Sequence, residues 1–409
     1  MADAPSEPEP RGLPKRYWRL WWAGAIDNVG DGAFATAVPL LALHLTSEPV
    51  LVSAVSAAAF LPYLLVSLPM GALVDRRDRT LLMVSSQLAQ AAVLAVVTVL
   101  LVLGGMNVGL LVVMAFALGV CEVVFDNSSQ AILPDIVPDR QLHQANGYQN
   151  TATFIGRQFV GPPVGSFLFT AAAAAPFGLN ALSFLGSAAL IAGRRTERGA
   201  RLARPGGEPM RRAIVDGLVW LWHHRLLRTL ALLSCANTFC FAMGTATLVL
   251  LATQEVHTSS LGYGVLLTAT ALGGAVGGLV NAHLVAWLGS LRALLVSLVT
   301  TVVVFVAIGL APNTVVLAAL LAVGGFATTM WNVLVVSLRQ QRVPSELRGR
   351  VNSVYRMIAW GLMPVGALAG GVVAARFGLR LPYPVAGAIR AVALGAALPV
   401  LVRSLKDSA

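Results

Sequence analysis

The chain has 409 residues, of which 57% are hydrophobic and only 11% charged, with a mean hydropathy of +0.76 and a net charge of +11. Soluble domains carry about 25% charged residues. A shortfall spread over nearly the whole length excludes a soluble fold with one anchor and indicates a polytopic membrane protein.

The first residues, MADAPSEPEPRGLPKR, are polar and Pro-rich, and 1–17 reads as a disordered tail rather than a cleavable signal, because the apolar run after Trp18 is too long. A spanning helix needs about 20 predominantly apolar residues. Charge clusters and Pro/Gly turns then give about twelve spans, with cores at 20–45, 50–73, 80–103, 108–132, 145–170, 174–193, 228–252, 260–286, 290–311, 313–337, 350–375 and 382–402. The runs are long and rich in Ala and Leu, which predicts helices rather than the short alternating segments of a barrel. A polar, Arg-rich linker at 194–227 separates two six-span halves, 18–193 and 228–403, and 404–409 forms a second tail. Within and just past the linker, Arg211–Arg228 mixes Trp220 and Trp222 with His223, His224 and Arg225, which predicts an amphipathic helix lying on the membrane surface. Cys121, Cys235 and Cys240 all fall in apolar runs, so the sequence offers neither a disulfide framework nor a metal-ligand spacing.

Charge placement tests the count. With the N-terminus in the cytoplasm, 24 of the 29 Lys and Arg residues fall on the cytoplasmic side, Arg376 and Arg380 fall opposite, and Arg157, Arg356 and Arg390 lie inside spans. This positive-inside asymmetry assigns the basic balance to the cytoplasmic face and its anionic headgroups, not to nucleic acid. The halves also repeat. VPDRQLHQAN (137–146) matches VPSELRGRVN (343–352), each just before the fifth span of its half. GALVDRRDRT (71–80) has a worn counterpart in AHLVAWLGSL (282–291), where Ala286 replaces Asp75. Two six-span halves related as parallel repeats predict a transporter whose site lies between them near the midplane.

Three stretches resemble the major facilitator superfamily. Gly71-x-Leu73-x-Asp75-Arg76-x-x-Arg79 resembles the family's loop 2–3 signature, with Asp78 where a second glycine is usual. Gly147 and Gly156 followed by Gly161-Pro162-Pro163-Val164-Gly165-Ser166 resemble the span 5 signature of drug/proton antiporters, with one residue more than usual between Gly156 and Gly161. The stretch 346–371, the Asn28–Gly32 run and ILPDIVP (132–138) are similar to the branch holding the enterobactin exporter and the macrolide efflux proteins. The resemblance implies an all-α fold of two pseudo-symmetric six-helix bundles. It also implies a cytoplasmic gate at Gly71, Asp75, Arg76 and Arg79, and a span 5 motif (Gly156, Gly161, Pro162, Gly165) that tightens the central seal.

Ionisable residues inside spans are costly and mark function. Asp27 and Asp31 lie one turn apart on span 1, and Glu122 and Asp126 on span 4. At 1.5 Å per residue, Glu122 lies about 20 Å from the outer end of span 4 and Arg157 about 18 Å from the inner end of span 5. Both reach the midplane, so an ion pair is expected there. Such a pair can serve as a proton switch, with protonation of Glu122 releasing Arg157, or as a buried structural pair. By the resemblance Asp31, with Asp27 beside it, is a second proton or cation site; wetting by an open cavity is the other reading for Asp31. Asp126 reads as interfacial. In the second half, Arg356, Asn237, Trp331, Asn332 and Trp360 are candidates for the substrate cavity, with packing or an interfacial belt the favoured reading for the tryptophans, and Arg390 is a cavity cation or pairs with a backbone carbonyl.

No P-loop, G-x-S-x-G, H-E-x-x-H or Cys/His cluster occurs in the sequence. The expected protein is therefore not an enzyme and uses neither ATP nor a cofactor. The resemblance implies a monomeric, multi-pass exporter of an amphipathic small molecule, driven by proton antiport. A facilitator or importer of the same fold is the alternative.

Overall fold

The computed structural model describes residues 12–66, 70, 73–74, 77–192, 218–344, 347, 351, 355, 357 and 360–406. These form thirteen α-helices, with no strand among the described residues. The first half holds α1 (Lys15–Leu45), α2 (Pro49–Leu65), α3 (Arg79–Val102), α4 (Val108–Ile136), α5 (Leu142–Thr153), α6 (Gly161–Ala171) and α7 (Ala175–Ala192). The second holds α8 (Arg225–Leu250), α9 (Ser260–Leu288), α10 (Ser290–Gly309), α11 (Thr314–Arg342), α12 (Met363–Phe377) and α13 (Pro382–Lys406). A π-helical segment, Phe154–Val160, joins α5 to α6 as one span, and a second, Leu251–Glu255, extends α8. Eight of these helices are long and apolar enough to cross a membrane, and α2 and α12 are shorter apolar helices beside undescribed residues. The remaining two spans are α1, which contains Asp27 and Asp31, and α5–α6, which contains Arg157.

The repeat is geometric. Helices α4 and α11 match residue for residue, Val108–Ile136 against Thr314–Arg342, a shift of 206 at both ends. Asn107 and Asn313 cap them identically, each side chain accepting from the backbone N–H three residues on. Val137 and Val343 close them, each N–H donating to the carbonyl four residues back. Gly119 packs a bare backbone against α2, and Gly325, 206 positions on, does so against α9. By the same shift Thr328 stands for Glu122 and Asn332 for Asp126, so the acidic pair belongs to the first half alone.

Loop 2–3 and its copy differ at the helix start. Asp78 caps α3, its carboxylate accepting from the N–H groups of Thr80 and Leu81. At the corresponding place before α10 stands Gly289, with φ +78°, a left-handed turn that suits glycine. The acid in place of the usual glycine thus serves as a helix cap. Asp78→Ala is expected to cost about 1 kcal/mol, seen as a lower midpoint in thermal unfolding, with Asp78→Asn close to wild type.

Of the stretch expected as a surface helix, 211–217 lie outside the described residues and 218–223 are helical; His224 follows, and its Nδ1 accepts from Leu227 N–H and caps α8. Burial pushes the His224 imidazole below its usual range, which keeps that nitrogen free to accept. Helix α1 begins at Lys15, inside the stretch read as a tail, and α13 runs to Lys406.

The apolar cores are arranged unequally. One large cluster draws on both halves, joining Leu40, Leu41 and Val52 to Leu248–Ala252, Tyr263, Leu317 and Tyr383. All of these lie at the helix ends away from the basic loops. At the basic ends each half has its own core, Tyr17, Leu133, Val137 and Ala145 in the first, and Leu230, Trp331, Leu338 and Leu401 in the second. Among the described residues, the cluster at one face is shared by both halves, and the two clusters at the other face are each drawn from one half. Small residues bring the backbones together at the shared face: Gly371 of α12 faces Pro49 and Ser53 of α2, and Gly264 of α9 faces Pro162 and Ser166 of α6.

Candidate functional site

Span 5 is held against α1 by its glycines. A Cβ added at Gly156 would lie 2.8 Å from Asn28 Cβ, and one at Gly161 would lie 2.7 Å from the Gly32 carbonyl carbon. Gly165 meets the backbone of Ala33 in the same way. Between Gly156 and Gly161 the helix widens, and Gly161 N–H donates to Gly156 O, five residues back. A π turn of this kind absorbs one extra residue, which accounts for the additional position in this stretch. Pro162 and Pro163 follow at the start of α6, directly after the π turn, and supply no backbone N–H to the carbonyls before them.

The π segment carries Arg157. Its Nη2 donates to Glu122 Oε1 of α4 at 2.7 Å. The side chains are 41% and 25% exposed, respectively, so the pair borders open space rather than a sealed core. Asp31 of α1 lies within electrostatic reach of both. Asp126, one turn beyond Glu122, accepts from the Tyr63 hydroxyl of α2 at 3.4 Å. The Tyr63 ring lies against Trp360 of the second half, with centroids 5.6 Å apart. The charged cluster therefore reaches the seam between the halves through an aromatic pair. Sequence reasoning missed Tyr63, for which the only signal is a hydroxyl within an apolar run.

Asp27 is elsewhere. It is 4% exposed, inside the first half, where its Oδ2 accepts from Gln87 Nε2 of α3 at 2.5 Å and from Ser187 Oγ of α7 at 2.6 Å. No hydrogen bond or ion pair among the described residues joins it to Glu122 or Arg157. Gln87 and Gln90, two amides on one face of an apolar run, were the available signal for a polar partner.

In the second half, Arg390 is buried, with Nη2 donating to Asn237 O at 3.0 Å and its guanidinium 3.9 Å from the Phe305 centroid. A carbonyl and an aromatic face thus hold this cation. Trp331 is 5% exposed in the separate core of this half, which corrects its reading as cavity lining: its ring packs among Leu side chains. Asn332 and Trp360 are exposed and Asn237 is half-buried. Arg79 Nη1 donates to Ala131 O of α4 at 2.8 Å, tying the start of α3 to the end of α4. Gly71, Asp75, Arg76 and Arg356 lie outside the described residues.

Two helical repeats beside a charged, half-exposed cluster have the architecture of the major facilitator fold. The family model described as transmembrane secretion effector, a major facilitator family, matches residues 14–408, and the chain belongs to that family. Multidrug efflux pump Tap of Mycolicibacterium fortuitum is 26% identical over 373 residues, 89% of this chain and 90% of that protein. Macrolide efflux protein A of Streptococcus pyogenes is 22% identical over 387 residues, 91% of this chain and 93% of that protein. A bacterial homologue of the iron transporter ferroportin, solved in an inward-facing state, shares the fold with a TM-score of 0.71 at 17% identity, covering 96% of this chain and 99% of that one. The chain is accordingly a multi-pass membrane transporter and not an enzyme.

Proposed function

We propose that the protein exports an amphipathic small molecule from the cytoplasm across the cell membrane by alternating access, coupled to proton antiport. The efflux pumps similar to it over nearly their full length support export. The observation that carries the coupling is the half-exposed Glu122–Arg157 pair beside Asp31. With the basic face cytoplasmic, the core shared by both halves lies toward the outer side, which supports an inward-facing state.

In that state a proton taken up by Glu122 removes its charge and frees Arg157 to turn to Asp31. A cationic or polar substrate competes with Arg157 for the same carboxylates, so substrate and proton exclude each other. That exclusion is what antiport requires. Tyr63 places the Asp126 end of the cluster against Trp360, so a change of charge there bears on the contact between the halves. Both termini face the cytoplasm, and one chain suffices for the cycle. The test is substrate flux in proteoliposomes under an imposed pH gradient: accumulation that follows the gradient supports the reading, and flux indifferent to it overturns the coupling.

A further inference from the structure

Helix α1 carries a stripe that the transport cycle above does not use. At 3.6 residues per turn, Lys15, Arg19, Trp22, Ile26 and Val29 fall on a single face of the helix. Lys15 and Arg19 are exposed at its start, Trp22 is 57% and Ile26 42% exposed, and Val29 is half-buried. No acid among the described residues pairs with either cation. The stripe therefore passes from positive charge to hydrocarbon without a break.

Its apolar end is not a flat surface. At Gly30 the helix lies so close to α7 that an added Cβ would collide with Asn180 Oδ1 and Ser183 Oγ. Around this low point is a groove of about 410 Å³, walled by Trp22, Ile26 and Val29 of α1 and Leu179 of α7. Ser183 Oγ, at its floor, is already bonded to Asn180 O at 2.9 Å and Asn180 Oδ1 at 2.8 Å, which leaves the floor apolar. Trp22 is a fixed wall. Its ring packs edge-on against Trp21 with centroids 4.9 Å apart, and Trp21 Nε1 donates to Tyr148 O of α5 at 3.0 Å.

Dimensions and charge select the occupant. Arg19 to Val29 measures about 15 Å along the helix axis, half of a hydrocarbon core of about 30 Å. Two cations at headgroup level, with an apolar groove one leaflet deep directly below them, match an amphiphile with an anionic head and a long tail. Trp22 sits between the two regions, at the boundary that aromatic rings favour. The second half presents a different surface: 206 positions on from Trp22 stands Arg228, which donates to Trp222 O and lies over the Trp222 ring.

We propose that Lys15, Arg19 and the α1–α7 groove bind one anionic glycerophospholipid, its phosphate against the two cations and one acyl chain in the groove. Assigning this lipid to the cytoplasmic leaflet rests on the orientation proposed above; the site itself does not, and its test has no sidedness. The site is separate from the Glu122–Arg157 pair, and either can fail without the other.

The experiment is thermal unfolding of the full-length protein in a neutral detergent, titrated with phosphatidylglycerol, phosphatidylcholine or glycerol phosphate. A ligand that binds only the folded state raises the midpoint in a saturable way. Wild type is expected to respond to phosphatidylglycerol, weakly to phosphatidylcholine, and not to glycerol phosphate, which has the charge without the tail. Each basic residue near the headgroup strengthens binding about fivefold, so Lys15→Gln/Arg19→Gln is expected to need about 30-fold more phosphatidylglycerol for the same rise. Arg292→Gln/Arg403→Gln removes the same charge from exposed positions elsewhere and is expected to titrate like wild type. Ala25→Phe fills the groove from a lining position and is expected to lose the response. The charge variants lie on the surface, so they report on the site even if Ala25→Phe fails to fold. Equal responses to phosphatidylglycerol and phosphatidylcholine overturn the proposal. So does a phosphatidylglycerol response unchanged in Lys15→Gln/Arg19→Gln, or one weakened equally in Arg292→Gln/Arg403→Gln.

Discussion

Glu122→Gln is expected to reduce gradient-driven flux to the level of protein-free liposomes while leaving the protein folded. The substitution keeps the shape of the side chain and removes its charge and proton exchange. Breaking a fully buried ion pair costs about 3–5 kcal/mol because the surviving charge is stranded. Here Arg157 is 41% exposed and Glu122 25%, so solvent screens the survivor and the stability loss is about 1 kcal/mol or less. That corresponds to a midpoint shift of about 2–4 °C, too small to explain a complete loss of transport. The double variant Glu122→Gln/Arg157→Gln distinguishes the two roles of the pair. If the pair only supports structure, removing both charges restores transport. If it couples protons, the double variant stays inactive although its stability recovers. Gradient-driven flux in Glu122→Gln equal to wild type would contradict the coupling role.

Gly161→Val is expected to prevent folding or to yield a protein unstable enough to aggregate on extraction. The added Cβ would sit 2.7 Å from the Gly32 carbonyl carbon and 2.8 Å from Gly156 O, both backbone atoms that cannot rotate aside. Even Gly161→Ala forces α1 and α6 apart, and overpacking of this kind costs about 1–3 kcal/mol. The displacement also moves the π turn that presents Arg157, so flux should fall along with stability. Gly186 and Gly395 provide the controls, since a Cβ there meets nothing within 4 Å. Alanine at either is expected to leave the unfolding midpoint unchanged or slightly raised. The measurement is the fraction of monodisperse protein after extraction, together with its midpoint. A Gly161→Ala midpoint equal to those controls would contradict the packing described for span 5.

Much of the fold is legible in the sequence because lipid demands long uninterrupted apolar helices, and charge can collect only between them. The 206-residue shift seen in VPDRQLHQAN and VPSELRGRVN extends to whole helices in α4 and α11. The meeting of Glu122 and Arg157 could be anticipated for a similar reason. Depth is counted directly along a helix, and two opposite charges at one depth on consecutive spans have a strong reason to pair. Lateral packing is another matter. A single sequence does not say which helices touch, so the bond from Asp27 to Gln87, 60 positions away, was not apparent, nor was the burial of Trp331 on the inner face of its helix. The π turn shows in the sequence only as one residue too many. Arg390 pairs with a backbone carbonyl, one of the partners expected for it, and with the Phe305 ring, which leaves no mark in a charge pattern.

The central claim is that substrate and protons move in opposite directions through one cycle. It is tested most directly by following both in the same proteoliposomes, with a pH-sensitive dye in the lumen and a fluorescent amphipathic cation as substrate. The account expects substrate addition to drive protons the opposite way, in proportion to the substrate moved, and expects Glu122→Gln to abolish both signals. Substrate flux without proton movement, at a rate unchanged when the pH gradient is collapsed, would contradict it.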